Sequence, residues 1–81
     1  MGKKEKLIEK AKNNPDGLKF AEFEGLLKHF GWVLKRQRGS HRMWVSPKNA
    51  VLAVQDKKGK AKGYQVQQAF KTIEKETGGV L

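Results

Sequence analysis

An α+β fold ordered α-α-β-β-β-α is predicted by three features of this 81-residue sequence. Apolar residues recur at helical spacing in Phe23, Leu26, Leu27 and Phe30, and again in Val66, Ala69, Phe70 and Ile73. Between these stretches, from Trp32 to Gln55, the periodicity becomes that of strands. Gly31, Gly39 and Pro47 punctuate that middle section where strands would begin, reverse and end. The product is a three-stranded antiparallel meander with helices on one face. The length suits one domain over residues 1–81, with residues 1–14 as a loosely packed N-terminal helix.

Lys3–Asn13 forms that first helix, with Leu7, Ile8 and Ala11 as a narrow apolar stripe. So small a stripe buries little, which places the helix at the domain edge with a frayed start. Asn13-Asn14-Pro15-Asp16-Gly17 is a turn, because Pro bars a preceding helical residue and Gly and Asn tolerate positive φ. The second helix spans about Ala21–Phe30, with Phe20 stapling its start and Gly31 as its C-terminal cap. His29 lies off its apolar stripe and reads as an exposed or capping imidazole.

A hairpin follows. A reversal at Arg38-Gly39 would set Leu34 opposite Met43 and Trp32 opposite Val45 on the core side. The other side would then carry Val33, Lys35, Arg42 and Trp44, a basic surface holding an aromatic. A one-residue slip exchanges the two faces. Pro47-Lys48-Asn49 is a second turn, and Ala50–Gln55 a third strand antiparallel to the second. Asp56–Lys62 reads as a flexible basic loop, Gly63 as the start of the last helix, and Thr77-Gly78-Gly79 as its end.

Composition narrows the function classes. With no cysteine, a disulfide framework, a thiolate metal site and a cysteine nucleophile are all excluded. No apolar run is long enough to span a bilayer, and the N-terminus lacks the apolar core of a signal peptide, so a cytoplasmic protein without membrane contact is expected. The formal net charge of +10 points to a polyanionic partner, nucleic acid before membrane, or to an acidic protein. From Gly25 to Gln55 there is no Asp or Glu, while Lys28, Lys35, Arg36, Arg38, Arg42 and Lys48 all fall inside. Such an acid-free window suits a binding face better than general surface solvation.

Within the window, His41 stands beside Arg36, Arg38 and Arg42. RNA cleavage needs a base to take the proton of a 2′-hydroxyl, and imidazole, with an ordinary pKa of about 6.5, suits that role. Guanidinium groups can hold the charge that builds on the phosphate. No metal or small-molecule cofactor is called for, since two histidines without cysteines do not make a ligand set. The competing reading is a plain nucleic-acid contact. Ser40 is no nucleophile for His41, because successive strand side chains point to opposite faces. Trp44 has two readings, a platform stacking an RNA base or a core residue. Lys60, Lys62, Gly63 and Tyr64, at the amino end of the last helix, could bind a phosphate or form an ordinary exposed loop.

Arg38-Gly39-Ser40-His41, followed by an aromatic at Trp44, sits in a wider pattern. Phe23…Leu26-Leu27…Gly31-Trp32 precedes it, and Pro47, an apolar third strand and a Gly63-Tyr64 helix entry follow. This pattern resembles the HicA (YcfA-like) mRNA interferase family of type II toxin–antitoxin systems, over most of the chain. The resemblance implies a double-stranded-RNA-binding-domain-like fold, endoribonuclease activity on mRNA and a catalytic His41. It further implies neutralisation by a HicB-type antitoxin. On the reading of the residues themselves, the same hairpin contacts RNA through Lys35, Arg36, Arg38, Gly39, Ser40, Arg42 and Trp44. Two departures stand out. Arg42-Met43-Trp44 follows the Gly-Ser-His triplet where members often have another His or Arg and then Tyr or Phe. The third strand ends Val54-Gln55-Asp56 and lacks a Pro-x-His stretch. That leaves the general acid open among Tyr64, Lys62 and water. A non-catalytic RNA-binding module using the same basic hairpin is the alternative.

Overall fold

The computed structural model describes residues 3–79. α1 (Lys3–Asn13) leads through a 3₁₀ turn (Pro15–Gly17) into α2 (Phe20–His29). Strands β1 (Val33–Arg38), β2 (His41–Val45) and β3 (Val51–Gln55) follow, and α3 (Gly63–Thr77) closes the order. The strands form one antiparallel sheet in the order β1-β2-β3, as the meander predicts.

α2 begins one residue before the expected start, so Phe20 lies inside the helix and is itself buried. The Lys19 amide donates to Glu22 Oε1 at 3.0 Å. Lys19 has no side-chain acceptor to return the bond, so this is half of a capping box. Glu22 also lies 3.5 Å from Lys10 Nζ, tying α1 to α2. Gly31, at φ +86, takes the left-handed conformation that turns the chain out of α2 toward β1.

Phe23, Leu26 and Leu27 of α2 meet Val66, Ala69, Phe70 and Ile73 of α3 over Trp44 and Val54 of the sheet. Ala11 of α1 is buried in the same cluster, and Leu7 and Ile8 pack against it. Trp32 is buried just ahead of β1, its amide bonded to the Leu27 carbonyl at 2.9 Å.

The faces of β2 are the reverse of the expected ones, whereas Trp32 is core as expected and Leu34, paired with Trp44, keeps the helix side. The two-residue turn is Gly39-Ser40, one position later than predicted, and Arg38 pairs with His41 across it. Gly39 at φ +55, with Ser40 outside the positive-φ region, matches a type II′ turn, whose twist fits a hairpin. The register also shifts between Leu34 and Arg36, leaving Lys35 as a bulge. With these two changes Leu34 pairs with Trp44 and Arg36 with Met43. Trp44 is 1% exposed, so it is core and not a base-stacking platform.

Two connections are held by side-chain hydrogen bonds. Ser46 is buried: its Oγ accepts from the Ala50 amide at 2.9 Å and donates to Glu76 of α3, pinning the β2–β3 turn. The Asp56–Lys62 segment, expected to be flexible, is a tight turn. Lys58 (φ 52) and Gly59 (φ 84) form its corner, Lys57 and Lys60 bond to each other, and Asp56 Oδ1 accepts from the Gly59 amide. Buried Ala61 and a bond from the Phe20 amide to the Gly59 carbonyl fasten it to the core.

Two outcomes are expected. Trp44→Ala should cost about 3–5 kcal/mol, whereas Met43→Ala should cost far less, both read from urea midpoints. The Lys19 amide, then Lys10, hold the Glu22 carboxyl below its ordinary 4.5. A lowered carboxyl stabilises the folded state above that value and loses the contribution as pH falls through its folded pKa. Glu22→Gln should therefore lower the melting temperature at neutral pH, the difference from the parent closing on acidification below 4.5.

Candidate nucleic-acid interface at one end of the sheet

Alternation sets the two faces of the sheet. Arg42 and Trp44 of β2, with Val54 and Leu52 opposite them on β3, point toward the helices. His41, Met43 and Val45, paired across β3 with Gln55, Ala53 and Val51, line the face without helices. On β1, Arg38 lies directly across from His41, and Arg36 across from Met43. His41, Arg36 and Arg38 are all exposed. Among the described residues, neither arginine has a carboxylate within salt-bridge distance.

Arg42 takes a different path. Its guanidinium is half-buried, hydrogen-bonded to Glu24 of α2 and placed 5.1 Å over the Phe20 ring. It is therefore an internal ion-pair and cation–π partner, not a phosphate ligand on the open face. Glu24 Oε2, Arg42 Nε and Trp44 Nε1 have no hydrogen-bond partner among the described residues although all three are buried. Such atoms offset what the pair contributes.

Hydrogen bonds draw the remaining predicted residues to the same end of the sheet. The Asp56 amide donates to the Ser40 carbonyl at 3.0 Å, joining the β1–β2 turn to the start of the basic loop. The Gln55 amide donates to Oε1 of buried Gln65 at 3.0 Å, and Gln65 Nε2 reaches Tyr64 Oη at 3.3 Å. A route of two hydrogen bonds thus runs from Gln55, the strand partner of His41, to Tyr64. Lys57, Lys58, Lys60, Lys62 and exposed Tyr64 line a cleft of about 910 Å³ with Pro15, Asp16 and Gly63. The Asp16 carboxylate lies so close to Gly63 that any Cβ there would collide with it. The amino end of α3 therefore already faces one anionic group of its own chain. His41 is not among the residues lining that cleft.

A family model described as the HicA toxin of bacterial toxin–antitoxin matches residues 20–74. The chain belongs to the HicA toxin family. The match runs from the start of α2 into α3 and takes in the whole sheet, both turns and the basic loop. No curated protein and no solved structure matches the chain significantly. Membership makes the protein a toxin of a toxin–antitoxin pair, so a partner of that kind is part of its biology. No helix among the described residues is long and apolar enough to cross a membrane.

Gln55 and Glu24 are among the residues that the sequence of this HicA member did not single out, as are Gln65, Lys57 and Lys58. Gln55 was within reach, since the Pro47-Lys48-Asn49 turn sets Ser46 against Ala50 and therefore His41 against Gln55. Glu24 carried a visible signal, as it is four residues past Phe20 on the flank of the apolar stripe and the last acid before the acid-free window. Arg42→Met alone should leave Glu24 buried without its partner and cost about 1.5–3 kcal/mol. Adding Glu24→Leu should return most of that loss in urea unfolding. A double variant as unstable as the single one would show that the pair is not the cause.

Proposed function

We propose that this chain is a metal-independent endoribonuclease toxin that cleaves mRNA in the cytoplasm and is neutralised by a HicB-type antitoxin. His41 is the general base. The observation that carries this reading is the placement of an exposed imidazole directly across the ladder from Arg38, on the face that no helix of the described residues covers.

The chemistry is as follows. A ring nitrogen of His41 accepts the proton of an RNA 2′-hydroxyl, and the oxygen attacks the adjacent phosphorus. The P–O5′ bond breaks, a 2′,3′-cyclic phosphate forms, and the departing 5′-oxygen takes up a proton. Arg38 and Arg36 hold the charge that develops on the non-bridging oxygens. Lys35, Gly39 and Ser40 contact the backbone from the same hairpin. Lys60, Lys62 and Tyr64 extend the track past the Ser40–Asp56 junction. Tyr64, Lys62 and water are the candidates for delivering the proton to the leaving oxygen. Trp44 and Arg42 have no part in binding, because both serve the interior.

The test compares the parent with His41→Ala on RNA in the presence of a chelator. The parent should cleave, and the variant should be slower by about 10²–10⁴-fold with an unchanged circular dichroism spectrum. A DNA strand of the same sequence should resist both, since it lacks the attacking hydroxyl. Salt-sensitive RNA binding by both proteins without cleavage by either would make the chain an RNA-binding module and overturn the enzymatic reading.

A further inference from the structure

The sheet has two outer edges, and the molecule treats them differently. On β3 the Gln55 amide is taken by buried Gln65 of α3. On β1 all six residues are exposed. Among the described residues, no hydrogen bond reaches β1 from any element other than β2. The ladder shows which groups are free. Arg38 and His41 close a two-residue turn, so they exchange both of their backbone bonds. Gln37, one step along, then exchanges none with Arg42 and directs its N–H and C=O outward. An unpaired edge of this kind is a template for another strand.

Charge selects the strand. Lys35, Arg36 and Arg38 all lie on β1. A second copy of the chain would set three cations against three, and the bulge at Lys35 adds a further obstacle to self-pairing. An acidic strand meets attraction where a copy meets repulsion. Val33 and Leu34, both exposed, give the far end of the same strand apolar contact surface.

We propose that the free edge of β1 accepts an extended acidic segment of a protein partner as a fourth strand. The segment's backbone would bond to Gln37 and its carboxylates would meet Arg36 and Arg38. The inference rests on the toxin reading above in one respect, that the segment belongs to the antitoxin. Seated there, it would occupy the arginines that RNA phosphate needs, so docking and cleavage would compete.

The probe is a short peptide alternating Glu and Val, added to the isotopically labelled full chain while amide exchange is followed by NMR. At ten times its Kd, the peptide should slow exchange of the Gln37 amide about tenfold. The same peptide methylated on alternate backbone nitrogens, and a Lys–Val peptide, should both fail to do so. Arg36→Glu with Arg38→Glu should reverse the preference in favour of the Lys–Val peptide. Equal binding of the methylated peptide, or protection at β3 in place of Gln37, would overturn the proposal. RNA cleavage assayed on peptide-free aliquots of the same protein separates the two readings. Cleavage without peptide docking sinks the edge proposal alone, whereas docking without cleavage keeps it and sinks the ribonuclease.

Discussion

Trp44 lies three residues beyond His41 on a strand whose side chains alternate, so burying one of them exposes the other. The indole is the largest fully buried side chain in the molecule's described part. Burial of an aromatic of that size is worth several kcal/mol, more than any single surface contact in the hairpin. The apolar face therefore dictates the register, and the register delivers the imidazole to the open face. The exposure of His41 is a by-product of where a hydrophobic ring has to go.

The same parity draws Arg42 inward, and the fold deals with that cost locally. Glu24 supplies a counter-charge from α2 and Phe20 supplies a ring face. Among the described residues, Glu24 Oε2 and Arg42 Nε are buried without partners, so the pair adds less stability than a simple count of its contacts suggests. Its contribution is to make the alternative register worse. A slip by one residue would strip Arg42 of Glu24 and put Trp44 in solvent together. Sheet and α2 thus agree on a single facing of β2, which is the consistency that a unique native state requires.

The helices, the strand count, the turn positions near Gly31 and Pro47 and the α3 boundaries were all legible, because each rests on period or on Gly and Pro chemistry within a few residues. The facing of β2 was not. It depends on whether reversal occurs at Arg38-Gly39 or Gly39-Ser40, and both contain the same glycine. It depends also on a bulge at Lys35, which leaves no mark in the periodicity. A different check was within reach of the sequence alone. His41 shares parity with Met43, so the facing expected from a turn at Arg38-Gly39 would have sent the imidazole inward with the methionine. A catalytic His41 and a surface Trp44 were incompatible from the start. The tight turn at Lys57–Lys60 was not legible for another reason: its three lysines read as solvated charge, while Asp56 and Gly59 do the structuring.

The open face is divided along its length. Arg38, His41 and Gln55 occupy the end beside the Gly39-Ser40 turn, and Val33, Val45 and Val51 occupy the other. Val51 is 61% exposed and Val33 54%, on a face that no element of the described chain covers. Exposed apolar area in a protein this basic contributes nothing to holding RNA, whose backbone is read by charge and whose bases need stacking platforms. It does suit a protein surface, where an apolar centre excludes water and a charged rim selects the partner. A chain of the HicA toxin family has such a partner by membership. The division of the face therefore makes physical sense if one half is shaped by the polyanion and the other by the protein that must keep the polyanion away. Arg36, opposite Met43, stands at the seam between the two halves.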